Sequence, residues 1–420
     1  MTRFLIGNFR WLLAGFLMTM GSAFGQTYFV SLSNSALIER FGFSHGSLGL
    51  VYALATTSSA LILLEFGKIV DRVRARTAAM ITVAGLSLAC LVMAGVQGPV
   101  MLFAAYLLLR LFGQGMMGHV AMTATGRWFE ARRGMAVSIV SLGHAAGIAI
   151  VPAAAVALIA LTGDRLAWTL SAAALALGLG PVLWGLLAKD RVPKGQATDL
   201  AETESTRPAP AKQSWRRREV LRAPVFWVLI LCAVNPAAMM TALFFHQLHL
   251  TDVKGWSAGL FAATFTAFAL ARIVASLFAG GLIDRFSARA MMAVYQLPMA
   301  AGLALLWPVD AVWVVPVAMV LIGLTAGTDS ALAGTLMPEL FGLRYLGEVR
   351  ALTFAAIVLA SALSPLVTGY LIDAGIAFPV QLAGMAAISV SASIILLALR
   401  GRLNAIAMDV YSRTPGSSPS

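Results

Sequence analysis

Glu65, Arg110, His119, His144, Arg272 and Asp329 all stand inside stretches that are otherwise apolar. A charge at the centre of a membrane span costs about 2.5–3.5 kcal/mol on insertion scales, so such a group faces a cavity or a partner. Arg110 lies in RLFGQGMMG, where Gln114 and Met117 follow at helical spacing and share its face. That face suits substrate or proton coupling, and equally hydrogen bonding between helices. Asp329 is either the partner of Arg272 or a proton carrier. A histidine titrates near neutrality and can relay protons, so His119 and His144, at similar expected depth, are each a proton relay or a hydrogen-bonded packing residue. Glu65 precedes Asp71 closely enough to reach the membrane interface instead. Asn235 adds a polar contact in mid-helix, and His246 and His249 are expected at an interface. The chemistry on offer is ion binding and proton transfer. No nucleotide loop, metal-ligand cluster or nucleophile elbow is present, which argues against an enzyme, a metal, a cofactor or direct coupling to ATP.

The elements that hold these residues follow from composition. Of 420 residues, 60% are hydrophobic and 11% charged, and the mean hydropathy is +0.85. Soluble domains carry about 25% charged residues, and a chain of this size cannot enclose so much apolar mass in one dry core. The solvent is therefore lipid. Stretches long enough to span it, about 20 residues each, fall near 11–33, 47–70, 78–97, 100–125, 135–160, 167–188, 223–249, 256–282, 288–308, 311–336, 349–373 and 378–400. They lack period-two alternation, so they read as helices rather than barrel strands. Cys90 and Cys232 fall inside them and read as packing residues. The first span, behind Arg3 and Arg10, is too long for a signal peptide.

The formal charge of +12 is a topology signal and implies no nucleic-acid partner. With the N-terminus inside, only Arg40, Arg165 and Lys254 among the 30 basic residues fall outside, and Arg110 and Arg272 fall within spans. The positive-inside rule then puts both termini and the central loop in the cytoplasm of a bacterial inner membrane.

A repeat runs through the chain at an offset of 213. GKIVDRVRAR at 67–76 matches GGLIDRFSAR at 280–289, Gly42-Phe43-Ser44 faces Gly255-Trp256-Ser257, Ser22 faces Asn235, and Pro152 faces Pro365. Two related six-helix halves follow, 1–188 and 223–402, joined by a flexible linker over 189–222 and trailed by a disordered tail over 403–420. Parallel halves of this kind place a binding site between them at mid-depth.

The loop Gly67-x-x-x-Asp71-Arg72-x-x-x-Arg76, with its echo Gly280, Asp284, Arg285 and Arg289, resembles the signature of the major facilitator superfamily over nearly the whole chain. Within it, RWFEARRGMAVSIVSLGHAAG and Gly25-Gln26-Thr27-Tyr28-Phe29 are similar to the monocarboxylate and oxalate–formate transporters. The resemblance implies that Arg272 contacts a substrate carboxylate, for which a bidentate guanidinium is suited; in that group the arginine stands about one turn nearer the loop, where this chain has Ser276. A structural salt bridge is the alternative. Gly67 permits close helix approach. Asp71 can sit at the N-terminus of a helix in the other half, where free N–H groups favour an anion, and so latch the cytoplasmic gate. Arg72, Arg76, Arg285 and Arg289, with Asp284, anchor the loops.

The expected protein is an all-α transporter of twelve helices, a monomer in the bilayer. It carries a small mono- or dicarboxylate by alternating access, with proton symport or anion exchange. Proton-driven drug efflux is the runner-up, weakened because only Glu65 and Asp329 are acidic in the spans and the fifth lacks a Gly-Pro pair at Pro152. A transporter-like sensor would need an output module, and linker and tail offer none.

Overall fold

A computed structural model describes residues 2–129, 132–189, 215, 217–341 and 345–405. These residues form helices long and apolar enough to cross a membrane at all twelve expected places. In the first half they are α1 (Phe4–Gly25), α2 (His45–Arg72), α3 (Ala75–Ala94), α4 (Pro99–Trp128), α5 (Arg133–Thr162) and α6 (Asp164–Leu186). In the second they are α7 (Pro224–Phe245), α8 (Ala258–Phe286), α9 (Ala288–Leu306), α10 (Val314–Phe341), α11 (Glu348–Asp373) and α12 (Phe378–Ala398). The first span begins earlier than its hydropathy suggests. It ends at a break, and the chain continues as Thr27–Val30 and Asn34–Phe41.

The repeat is visible in the backbone. Asn34–Phe41 and Gln247–Lys254 each end on a left-handed glycine, Gly42 at φ 67° and Gly255 at φ 66°. Only a residue without Cβ adopts that turn readily. Ser44 then starts α2 through a capping box with Ser47, and Pro152 and Pro365 both lie inside their helices.

The described residues cluster into two compact units that do not coincide with the repeat. One gathers those of 1–198, 241–269 and 362–378; the other takes those of 199–240, 270–361 and 379–420. In the first unit α1 packs along α5. A methyl group at Gly143 would overlap the Phe16 carbonyl and the Thr19 hydroxyl of α1, so the helices meet backbone to backbone. Gly25 meets α4 in the same way: its Cβ would fall 2.5 Å from the Gln114 nitrogen and 2.6 Å from Gly113 Cα. At that crossing α4 widens into a π-helical stretch, Leu109–Met117. Such insertions often mark functional sites.

In the second unit Gly327 brings α10 against the Arg272 turn of α8, where a Cβ would lie 2.7 Å from Ala275. Most of the expected linker and 406–420 of the expected tail lie outside the described residues. Where the linker is described, Arg217–Arg222 is helical and the Trp215 N–H donates to the Phe341 carbonyl at 3.0 Å.

Candidate functional site

The first unit holds a buried cation. Arg110, 3% exposed, donates to the Gly25 carbonyl at 3.2 Å and the Thr27 hydroxyl at 3.4 Å, and its guanidinium lies 5.3 Å from the Tyr52 ring centroid. Tyr52 is itself held by Thr27 at 2.7 Å. Among the described residues no carboxylate forms an ion pair with Arg110, and its Nε has no hydrogen-bond partner. Burying an ion with so little compensation is expensive, and the break after α1 is what aims the Gly25 carbonyl at it. Gln114 does not share this setting. The π-helical stretch alters the spacing, leaving Arg110 and Met117 buried and Gln114 exposed.

The second unit contains a cavity of about 210 Å³ between α7, α9, α10 and α11. Its walls are mostly apolar, including Leu332, Leu336, Met337 and Phe354, with Tyr295, Asp329 and Arg350 as polar groups. The Tyr295 hydroxyl bonds to the Asp329 carboxylate, and Arg272 acts on that carboxylate electrostatically. Arg350 donates to the Ala333 and Gly334 carbonyls at 3.3 and 3.1 Å. Arg272 is thus tied to an acid, whereas Arg110 is not.

Where α1 and α7 break, the first unit is tightly cross-bonded. Gln247 donates to the Tyr28 carbonyl and the Ser31 hydroxyl, both at 2.8 Å. Asn34, its counterpart at the 213 offset, donates to the Phe245 carbonyl at 2.9 Å, and Ser31 donates to the Phe244 carbonyl at 2.6 Å. Asp373 of α11 accepts from the His45 and Gly46 N–H groups at the start of α2, at 3.0 and 2.8 Å. Thr266 of α8 donates to the Ala149 carbonyl of α5 at 2.9 Å. Each contact joins the two halves of the repeat within the first unit.

The family profile of the Major Facilitator Superfamily matches residues 12–266 and 237–406. The chain belongs to that superfamily. It is a multi-pass membrane transporter of small molecules and not an enzyme. No curated protein matches the chain by sequence. Among solved structures it is similar to a bacterial homolog of the human lysosomal transporter Spinster in an inward-facing, unoccupied conformation, with TM-score 0.67 and 16% identity over 98% of both chains. The occupied, inward-facing form of that homolog gives 0.63 and 16%, over 97% of this chain and 98% of the other. The nucleoside transporter NupG gives 0.65 and 13%, over 94% of this chain and 98% of the other. At these identities the likeness concerns fold alone.

Within the superfamily fold, several expected residues take unexpected partners. The Asp71 carboxylate forms an ion pair with Arg127 at the end of α4, in its own half, and Arg127 also donates to the Val70 carbonyl at 2.9 Å. In the second half the polarity reverses: Arg289 supplies the base and Glu339 of α10 the acid, at 2.5 Å, with the Ala288 N–H also donating to Glu339 at 3.0 Å. Arg76 stacks 3.2 Å from the Trp184 centroid, Arg285 lies over Phe286, and Arg72 and Asp284 are exposed.

Glu65 pairs with Lys68 at 2.7 Å on an exposed surface, as an interfacial residue would. His119 lies 3.2 Å from the Gly67 carbonyl, near the loop end of α2. A Cβ at Gly67 would sit 3.3 Å from that ring, which is the close approach this glycine permits. His144 lies 3.2 Å from the Ser22 hydroxyl at the end of α1.

Asn235 is 5% exposed, and its amide nitrogen donates to Gln296 at 2.7 Å and Ser389 at 2.9 Å, while Gln296 donates to the Cys232 carbonyl; its Oδ1 is buried with no partner among the described residues. Asn235→Ala is expected to lower stability by about 1–2 kcal/mol and to leave uptake per folded molecule unchanged. Thermal unfolding and uptake on the same preparation test this, and lost uptake at full stability would return Asn235 to the substrate site. Tyr52, Tyr295, Asn34 and Gln247 are functional candidates that composition does not single out. The matched positions of Asn34 and Gln247 in the repeat were the available signal.

Proposed function

We propose that this transporter carries a small organic anion, a mono- or dicarboxylate as in the monocarboxylate and oxalate–formate group, by alternating access. Arg110 carries the reading. A buried guanidinium with a spare N–H and no acid beside it is completed by an anionic ligand, and bidentate binding of a carboxylate fits its fork. The cavity of about 210 Å³ in the second unit does not include Arg110; it surrounds Asp329 and Tyr295 and is small beside the 300–1,000 Å³ of drug-sized sites. Asp329, with Tyr295 and Arg272 about it, is the candidate proton carrier for symport; exchange would leave it ionised. His144 beside Ser22 is a second candidate relay.

The positive-inside distribution assigns the Asp71 and Arg289 loops and both termini to the cytoplasm of the inner membrane. The cross-bonded end at Gln247 and Asn34 is then the outer gate, closed here. Asp71, paired with Arg127, is the latch of the cytoplasmic gate and exchanges that partner as the gate works. The two halves 1–188 and 223–402 rock about the midplane to reverse the arrangement.

Counterflow uptake in proteoliposomes tests the substrate class. Labelled small carboxylates are compared with nucleosides and cationic solutes under an imposed pH gradient. Saturable carboxylate uptake is expected, and its response to the gradient separates symport from exchange. Uptake of cations alone, driven by outward proton flow, would replace this reading with efflux.

A further inference from the structure

His45 opens α2, while His246 and His249 flank the break that follows α7. They come from opposite halves of the repeat, yet their rings stand together. The centroids of His45 and His249 are 4.4 Å apart, and those of His45 and His246 are 5.7 Å apart. Phe245 and Phe378 close around His246, which is 3% exposed. A void of about 10 Å³ remains beside the rings, room for about one water and no larger ligand.

The hydrogen bonding fixes where a further proton can go. Nε2 of His246 lies 3.1 Å from the Pro365 carbonyl, which only accepts, so Nε2 carries the ring proton. A second proton must enter at Nδ1. The charged groups around the cluster are few. Asp373 comes from α11, with both its oxygens already bonded to the His45 and Gly46 N–H groups. Asp252 lies three residues beyond His249 and acts on it electrostatically. The segment Asn34–Phe41 offers Asn34, Ser35 and Ile38, none of them charged, and α12 offers Phe378. Three imidazoles therefore share two carboxylates, one of which is engaged in capping α2.

We propose that His45, His246 and His249 form a proton-operated lock on the outer gate, closed while the rings are neutral and driven open when they are protonated. Two imidazolium rings in this space repel each other across the contact between α2 and the break after α7. A positive charge on His45 also meets the unfavourable N-terminal end of α2's dipole. Proton binding thus occurs at the gate itself, apart from Asp329 and His144, and the lock acts whatever the substrate.

Burial pushes His246 down to about 3, against the pull of the Pro365 carbonyl and Asp373 and reinforced by His45 and His249. His249 is lowered too, chiefly by burial, with His45 adding and Asp252 opposing. A group lowered in the closed state holds that state fully above its solvated value near 6.5. The hold is lost progressively as pH falls from there toward the closed-state value. One such group raises the ratio of open to closed molecules about tenfold between pH 7.5 and 5.5.

Pulsed EPR distances in the full chain test the lock without any substrate. Spin labels are placed at Glu39→Cys and Val253→Cys, both exposed and on opposite sides of the gate, with Cys90→Ala and Cys232→Ala as background. The expected result is a short distance at pH 7.5 and a rise of about tenfold in the longer-distance population at pH 5.5. His45→Gln/His246→Gln/His249→Gln should abolish that response, and His249→Gln alone, at a half-buried ring, should weaken it. A distance unmoved by pH, or a full response in either variant, would overturn the proposal.

Discussion

Arg110→Met is expected to raise the melting temperature of the purified protein and to abolish saturable uptake of the labelled carboxylate. The stabilisation follows from the missing acid partner. Arg110 is buried against a carbonyl, a hydroxyl and the Tyr52 ring, and replacing such buried ionic groups by apolar side chains often stabilises by about 1–4 kcal/mol. The loss of function follows from hydrogen bonds to a charged group, worth about 1.5–3 kcal/mol each. Two of them amount to at least about a hundredfold in affinity. Arg110→Lys keeps the charge but not the planar fork and should bind less well than the parent. A thermal unfolding curve and a binding isotherm on each variant decide the matter. Wild-type affinity in Arg110→Met would remove the clamp assignment and leave Arg110 as a strut between α1 and α4.

The second large effect is structural. Gly25→Ala sets a methyl group against the Leu109 carbonyl, the Gln114 nitrogen and Gly113 Cα, all of them main-chain atoms that no rotamer change can move. Overpacking of this kind typically costs about 1–3 kcal/mol, and here the end of α1 must retreat from α4 as a whole. The Gly25 carbonyl leaves Arg110 with it. We therefore expect a lower melting temperature together with loss of substrate binding. Gly118→Ala, further along α4 with nothing within 4 Å of the added methyl, should be neutral or stabilising by up to about 1 kcal/mol. Equal behaviour of the two variants would show that the crossing of α1 and α4 tolerates a wider gap.

The twelve spans and the repeat were legible because lipid demands apolar runs and a duplication preserves spacing. Gly42 and Gly255 take the same left-handed turn at the 213 offset their flanking residues announce. Side-chain destinations were less legible. The Asp71 carboxylate pairs with Arg127, 56 residues along the chain, a partner that charge sign alone does not name. The face shared by Arg110 and Gln114 assumed an α-helix, while close packing at Gly25 accompanies a π-helical stretch that RLFGQGMMG does not advertise. His246 reads as interfacial because it ends an apolar run. Its burial depends on a break after α7 that Asn34, Ser31 and Pro365 stabilise from elsewhere in the sequence.

The reversed polarity of the two loop ion pairs bears on how a duplicated chain can drift without losing its anchors. Both loops keep an acid and bases, Asp71 with Arg72 and Arg76 in one and Asp284 with Arg285 and Arg289 in the other. The first is held through its acid on Arg127 and the second through a base on Glu339. A loop that carries both signs finds a complement whichever sign its partner helix presents. The helix behind it is therefore free to exchange base for acid, and the loop changes its grip instead of losing it.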